Sequence, residues 1–279
     1  MDEDQLKRWP RRDNAFLGRG SFGSVERALY CGTPVAVKEL LTGRDQMAEV
    51  RRQAKAELGK EIGILAEFRH PNIVLMIAHN SRYIVMQMYR GSASSIRSLD
   101  EVAVVARDCM RGIAYLHLHS KCVVHGDIKP DNILVETDSN GKITKAALGD
   151  VGLARACARA MRDRDFSGTP GYMPMPNPVV DSTHDIFALA VSVLDAFFAD
   201  GDGVVHAGND HHNLEDNTAA YAARLPDPDV RSVVSDMLAA YQNGALRNNA
   251  GERGEFIRHV IFGWEQIVSR RNVAASLLD

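Results

Sequence analysis

Net charge is small: -3 at pH 7 over 279 residues, which removes the electrostatic case for a nucleic-acid or anionic-membrane partner. Cysteine is scarce as well. Cys31, Cys109, Cys122 and Cys157 lie far apart with no C-x-x-C pair, so a disulfide framework and a zinc site are both disfavoured, and reduced thiols in a cytosolic protein fit better. No apolar run is long enough to cross a bilayer. The best candidate, IFALAVSVLDAFFA at 186–199, is too short and contains Asp195, so it is expected to be a buried helix. The opening MDEDQLKRWPRRD has charge where a secretion signal carries its apolar core, and a cytoplasmic location is the expectation.

What is present is ordinary in bulk and unusual in places. Apolar residues make up 45% and charged residues 25%, as in soluble globular domains. The length suits one large domain or two lobes sharing a substantial core.

The stretch VVHGDIKPDNIL at 123–134 sets His125, Asp127, Lys129 and Asn132 at fixed offsets in a short polar loop between apolar runs. A carboxylate there can take a hydroxyl proton, a carboxamide five residues on can hold a metal ion, and a lysine between them can steady a phosphoryl group. The loop resembles the catalytic loop of protein kinases, with Gly126 where that family usually has arginine. Small-molecule phosphotransferases share the pattern H-G-D-x-x-x-x-N, and a plain surface loop is a third reading, so the context has to decide.

Upstream, FLGRGSFGSVERALYCGTPVAVKEL at 16–40 contains Gly18, Gly20 and Gly23 in a G-x-G-x-x-G array. Dinucleotide-binding folds use the same array to open a helix. Here Val25–Tyr30 reads as a strand, 31–34 as a turn and Val35–Lys38 as a second strand, so the glycines belong to a hairpin. Glycine lets backbone N–H groups approach phosphate unobstructed. V-A-V-K resembles the kinase third-strand motif, which implies that Lys38 contacts the α- and β-phosphates of ATP while Val25 and Ala36 pack on adenine.

Residues 45–68 have helical periodicity, with Met47, Ala54, Leu58 and Leu65 on one stripe and Glu61 inside it. A carboxylate on a buried face needs a cation. The resemblance pairs Glu61 with Lys38, and Glu57 is the rival at the stripe's edge. FRHPNIV at 68–74 is similar to the turn that follows this helix in protein kinases and is not usual in small-molecule phosphotransferases. By the same resemblance Tyr83–Met88 is the strand leading to the hinge, with Met86 as gatekeeper and backbone groups of Gln87 and Met88 toward adenine; Leu134 joins the nucleotide set. Glu101–Ser120 carries Val102, Val105, Ile113 and Leu116 at helical spacing and is expected to deliver the chain to the catalytic loop.

Asp150-Val151-Gly152 resembles the D-F-G motif, which makes Asp150 and Asn132 the ligands of Mg²⁺. Valine for phenylalanine removes an aromatic ring from a stack that would include His125, Leu65 and Met76, an expected loss of about 2–4 kcal/mol if the space is not refilled. GTPGYMPMP at 168–176 resembles the peptide-docking end of a serine/threonine kinase activation segment and places Thr169 against Asp127 and Lys129. From 153 to 169 the only hydroxyl-bearing residues are Ser167 and Thr169. With Gly126 in place of the phosphate-reading arginine, activity independent of activation-segment phosphorylation is expected. Arg155, Arg159, Arg162 and Arg164 are read as solvated or paired with Asp163 and Asp165.

Asp185 resembles the aspartate that holds the catalytic loop's backbone. Pro176 stands where the family has glutamate, and beyond about residue 190 the resemblance is architectural only. Residues 200–217 read as a loop whose His206, His211 and His212 fit no metal pattern, and 229–241 and 254–269 read as helices.

The resemblance implies an α+β, two-lobed protein-kinase fold spanning 1–279, with a β-rich lobe over 1–87 and a mostly helical lobe from 88, and ATP in the crevice. Asp127 and Lys129 would be catalytic, the substrate a serine or threonine hydroxyl of a protein, with no nucleic acid or membrane partner. The wording of FRHPNIVLMIA is closest to the tyrosine-kinase-like branch. A pseudokinase scaffold and a small-molecule phosphotransferase remain as alternatives.

Overall fold

In the computed structural model the described residues are 3–9, 15–19, 23–40, 48–156, 168–173, 181–199, 214–243, 246 and 249–276. Gly20, Met47, Cys157, Arg159, Arg162, Arg164, Ser167, Pro176 and the histidines at 206, 211 and 212 lie outside them. The chain divides into two compact units, one comprising Met1–Tyr89 with Asp150–Gly152, the other Arg90–Gly149 with Leu153–Asp279.

The first unit is an antiparallel sheet with one long helix. Its strands are β1 (Leu6–Arg8), β2 (Phe16–Arg19), β3 (Gly23–Tyr30), β4 (Thr33–Leu40), β5 (Met76–His79) and β6 (Tyr83–Gln87). They run in the order β1-β3-β4-β6-β5, and β2 also pairs with β3. The expected turn closes at Cys31-Gly32, where φ is 50° and 81°, so Thr33 and Pro34 already belong to β4. Alternation supplies the core: Ala28, Val35, Val37 and Val85 pack on one face, with Leu6 and Tyr83 against them. Helix α1 (Ala48–Glu67) buries Ala54, Leu58, Glu61 and Leu65, the stripe its periodicity predicts.

The second unit is mostly helical. Helix α2 (Leu99–His117) starts at Ser98, whose side chain accepts from the Glu101 N–H, an N-cap worth about 1 kcal/mol. Strands β9 (Ile133–Thr137) and β10 (Ile143–Leu148) form a hairpin on which β7 (Gly91–Ser92) adds a third strand. Two buried carboxylates of α2 fasten this hairpin. Glu101 Oε1 accepts from Ile143 N at 3.1 Å, and Asp108 Oδ2 from Ala146 N at 3.0 Å. Strand β8 (Val123–Val124) pairs with β11 (Arg155–Ala156).

Helix α3 (Ser182–Phe197) is buried at almost every position from Ser182 to Ala196 and is capped by Asp181, which accepts from Thr183 N. This is the buried helix expected for the apolar run; among the described residues no helix is long and apolar enough to cross a membrane. Helices α4 (Leu214–Ala223), α5 (Pro228–Ala239) and α6 (Ala250–Ser276) follow among the described residues. The loop expected over 200–217 is corrected at its end: Leu214–Asn217 form the first turn of α4. Its polar composition hid the helix, because Leu214 is the single aliphatic residue in LEDN.

Candidate active site

Within the first unit three charged side chains converge. Lys38, facing Ile84 across the sheet, places Nζ 2.9 and 2.7 Å from the two Glu61 carboxylate oxygens and 2.8 Å from Asp150 Oδ1. Burial works against the lysine's charge, but Glu61 and Asp150 outweigh it, so its pKa rises above the ordinary value. Glu61 is buried and Asp150 exposed. The rival Glu57 pairs instead with Lys60 on the solvent side of α1. Asp150 has φ 50°, a left-handed conformation that costs a non-glycine residue about 1 kcal/mol. Gly152 leaves room beside it: a Cβ there would lie 3.3 Å from Asp150 Oδ1 and 3.7 Å from Glu61 Oε2. Val151, between them, is fully buried.

The remaining residues expected to bind nucleotide in this unit are placed as follows. Gly18 lies in β2 with nothing within 4 Å of an added Cβ, whereas a Cβ on Gly23 would meet the Glu39 carbonyl oxygen at 2.6 Å. Gly23 thus has a packing reason for being glycine that needs no ligand. Val25 pairs with Lys38 across β3 and β4, and Ala36 with Met86 across β4 and β6. The expectation for Gln87 is narrowed: its backbone N–H donates to Leu75 O at 2.9 Å, which leaves only its carbonyl to offer a ligand. Met88 follows β6 and is half-buried.

In the second unit the loop after β8 folds around Asp127. Its Oδ1 accepts the Thr169 hydroxyl at 2.6 Å and the Thr169 N–H at 3.1 Å. Oδ2 accepts from Asn132 Nδ2 at 2.8 Å and lies 3.2 Å from Lys129 Nζ. Lys129 Nζ donates to Thr169 Oγ1 at 2.8 Å. Asn132 gives its second amide proton to the Asp127 carbonyl at 2.8 Å, which fixes the amide's orientation and leaves its oxygen as the outward acceptor. Leu134 packs under Gly149, where a Cβ would come within 2.9 Å of its Cδ1.

The loop's backbone is held from below by Asp185. Its Oδ2 accepts from His125 N at 2.7 Å and Oδ1 from Gly126 N at 2.9 Å; His117 Nε2 lies 2.7 Å from Oδ2. Burial would raise the Asp185 pKa, but the His117 hydrogen bond and charge, with His125 and His184, lower it to about 2. Sequence reasoning missed His117 as a partner. The signal was there: it falls four residues after Ile113 on the buried stripe of α2. His125 is buried, with Nε2 2.9 Å from the Gly149 carbonyl and Nδ1 accepting from Asp127 N at 3.3 Å.

Gly126 has φ 83°, a region open to glycine and strained for other residues. A Cβ on Gly168 would sit 3.1 Å from the Gly126 carbonyl oxygen. The two glycines therefore let the threonine segment lie directly on the loop.

Each unit offers a side chain with the hard oxygen that magnesium prefers, Asp150 in the sheet unit and Asn132 in the helical unit. Asp150 and the Asn132 amide oxygen are hard oxygens, and among the described residues no three His, Cys, Asp or Glu side chains gather as a metal set.

Residues 12–242 match the family described as the protein kinase domain. The chain is 32% identical over 171 residues to a probable serine/threonine-protein kinase of Dictyostelium discoideum, covering 57% of this chain and 12% of that protein. It is 33% identical over 200 residues to serine/threonine-protein kinase 1 of Arabidopsis thaliana, covering 64% and 22%. A cysteine-rich receptor-like protein kinase of Arabidopsis thaliana is 26% identical over 235 residues, covering 76% and 33%. The chain thus spans a third or less of these relatives' lengths. With a β-sheet unit, a helical unit and a family match over most of its length, the chain belongs to the protein kinase domain family, of the eukaryotic serine/threonine type.

Proposed function

We propose that the chain transfers the γ-phosphoryl group of ATP to serine or threonine hydroxyls of protein substrates. The observation that carries this reading is the bonding of Asp127. Thr169 and Asn132 fix its carboxylate from two sides and Lys129 lies beside it, so it is oriented before any substrate arrives. A carboxylate so held orients an incoming hydroxyl and accepts its proton. Lys129 neutralises charge that develops on the transferred group.

Lys38, kept charged and oriented by Glu61, holds the α- and β-phosphates. Asp150 and Asn132 are the side chains that would hold magnesium. The bound metal–nucleotide supplies the electrophilic phosphorus and offsets the phosphate charge. In this reading Val25, Ala36, Met86, Leu134 and the backbone at Gln87 and Met88 would each contact the base, and Gly18, Gly20 and Gly23 would be the phosphate-binding glycines.

Independence from activation-segment phosphorylation is part of the proposal. Position 126 presents no side chain to read a phosphate, and its left-handed backbone favours glycine over the arginine that would. The alternative of a nucleotide-binding scaffold differs in one measurable respect, turnover. Labelled ATP with Mg²⁺ and a generic protein substrate should give phosphoserine or phosphothreonine, and Asp127→Asn should lower the rate by about 10²-fold or more. Magnesium-dependent nucleotide binding without transfer by the wild type would assign the chain to the scaffold class instead.

A further inference from the structure

The helical unit contains a cavity of about 300 Å³ among α3, α4, α5 and the turn that follows α5. That volume is at the lower end of ligand pockets. Its inner wall is apolar, formed by Phe187, Leu238 and Tyr241, while Thr218, Arg231 and Gln242 bring polar groups to it. Arg231 Nε and Nη2 donate to the Leu225 carbonyl at 3.2 and 2.9 Å. Among the residues whose side chains are described, which leaves out Glu215 and Asp216, its Nη1 has no hydrogen bond and no carboxylate lines the cavity. A guanidinium with Nη1 left over beside an aromatic wall complements a compact anion with an apolar body.

The wall also leads to the catalytic loop. The Phe187 and Tyr241 rings lie 6.0 Å apart, and Tyr172 and Leu238 pack on the cluster that these rings form with Val191. Tyr172 donates its hydroxyl to Asp195 at 2.7 Å and its N–H to the Thr169 carbonyl at 3.2 Å. Thr169 in turn donates to Asp127. A ligand displacing Tyr241 or Phe187 would thus press on the segment that orients the proposed base.

We propose that this cavity is a regulatory site for a small carboxylic acid with an aromatic or short aliphatic body, its carboxylate on Arg231 and its body against Phe187 and Tyr241. The regulatory half rests on the kinase reading; the binding half does not. The probe is 3-phenylpropionate, titrated by calorimetry into the full chain without nucleotide, with 3-phenylpropanamide as the neutral comparison. Saturable binding is expected with Kd about 1 mM or tighter. The amide should bind about tenfold more weakly, as should Arg231→Gln. Because Arg231 also holds Leu225, Ser235→Phe at the exposed rim is the second variant; its ring fills the cavity and should abolish binding. Absence of saturable binding to folded wild type, or equal affinity for acid and amide, overturns the site. Binding should change the rate of substrate phosphorylation at least twofold in wild type and leave Ser235→Phe unchanged. Unaltered turnover by active wild type at saturating acid overturns the coupling, and wild type that binds the acid but has no turnover to alter overturns the kinase reading on which the coupling stands.

Discussion

Replacing Asp185 by asparagine isolates what one buried charge does for the catalytic loop. The carboxylate accepts three hydrogen bonds, from His125 N, Gly126 N and His117 Nε2. An amide can keep at most two of them. Its nitrogen, placed where Oδ1 was, meets the Gly126 N–H donor to donor, leaving a buried N–H unpaired at about 1–3 kcal/mol. The two surviving bonds lose charge assistance, which roughly halves them. The sum is roughly 3 kcal/mol, or a fall in Tm of about 6–12 °C for a domain near this size.

Linkage gives a similar figure. Lowering the pKa from 3.8 to about 2 is worth roughly 2 kcal/mol at neutral pH. A carboxylate with a depressed folded pKa contributes stability that is complete above its unfolded pKa, near 4, and is lost as pH falls toward the folded value near 2. The gap between wild type and variant should therefore be constant from pH 7 to 5 and narrow by roughly 1 kcal/mol at pH 3. Circular-dichroism melting at each pH measures it. A variant melting within 2 °C of wild type at pH 7, on the scale of about 2–4 °C per kcal/mol, would refute the reasoning, as would a gap unchanged at pH 3.

Lys38→Met should abolish phosphate transfer and also lower stability by roughly 3 kcal/mol, because Glu61 is left as a buried carboxylate without its cation; melting of the variant in the absence of nucleotide reads the second effect. Gly126→Ala should cost about 1–2 kcal/mol through its left-handed φ, seen as a lower urea midpoint. Ser167→Ala should keep turnover within about twofold of wild type, since the loop has no arginine to read a phosphate there; a collapse in rate would remove the proposed independence from phosphorylation.

The parts of the molecule legible in the sequence were those where one residue breaks a pattern. Glu61 interrupts an apolar stripe, and the structure gives it the cation such a position demands. The same rule, applied only to ion pairs, passed over Glu101 and Asp108, which are buried on α2 and bonded to backbone N–H groups of the next hairpin. The hairpin is non-local, so no sequence spacing announces these bonds, although Asp108 also pairs with Arg107 and Arg111 on its own helix. Strand β1, reading LKR, is held by pairing with Ala28–Tyr30 rather than by its own composition. The left-handed backbone of Asp150 is likewise set by its surroundings. Glycine at 126 was visible as a departure, but its φ of 83° supplies a conformational reason that only coordinates reveal.

Asp150–Gly152 group with the sheet unit although sixty residues of the other unit, Arg90–Gly149, precede them in the chain. The polypeptide therefore enters its smaller unit twice. A fragment ending at Tyr89 would contain every strand of that sheet yet give Lys38 only one of its two carboxylates. Excising the unit as a continuous piece, for crystallography or for a split reporter, would disarm it. A graft that restores the missing tripeptide through a short linker after β6 is the minimal repair.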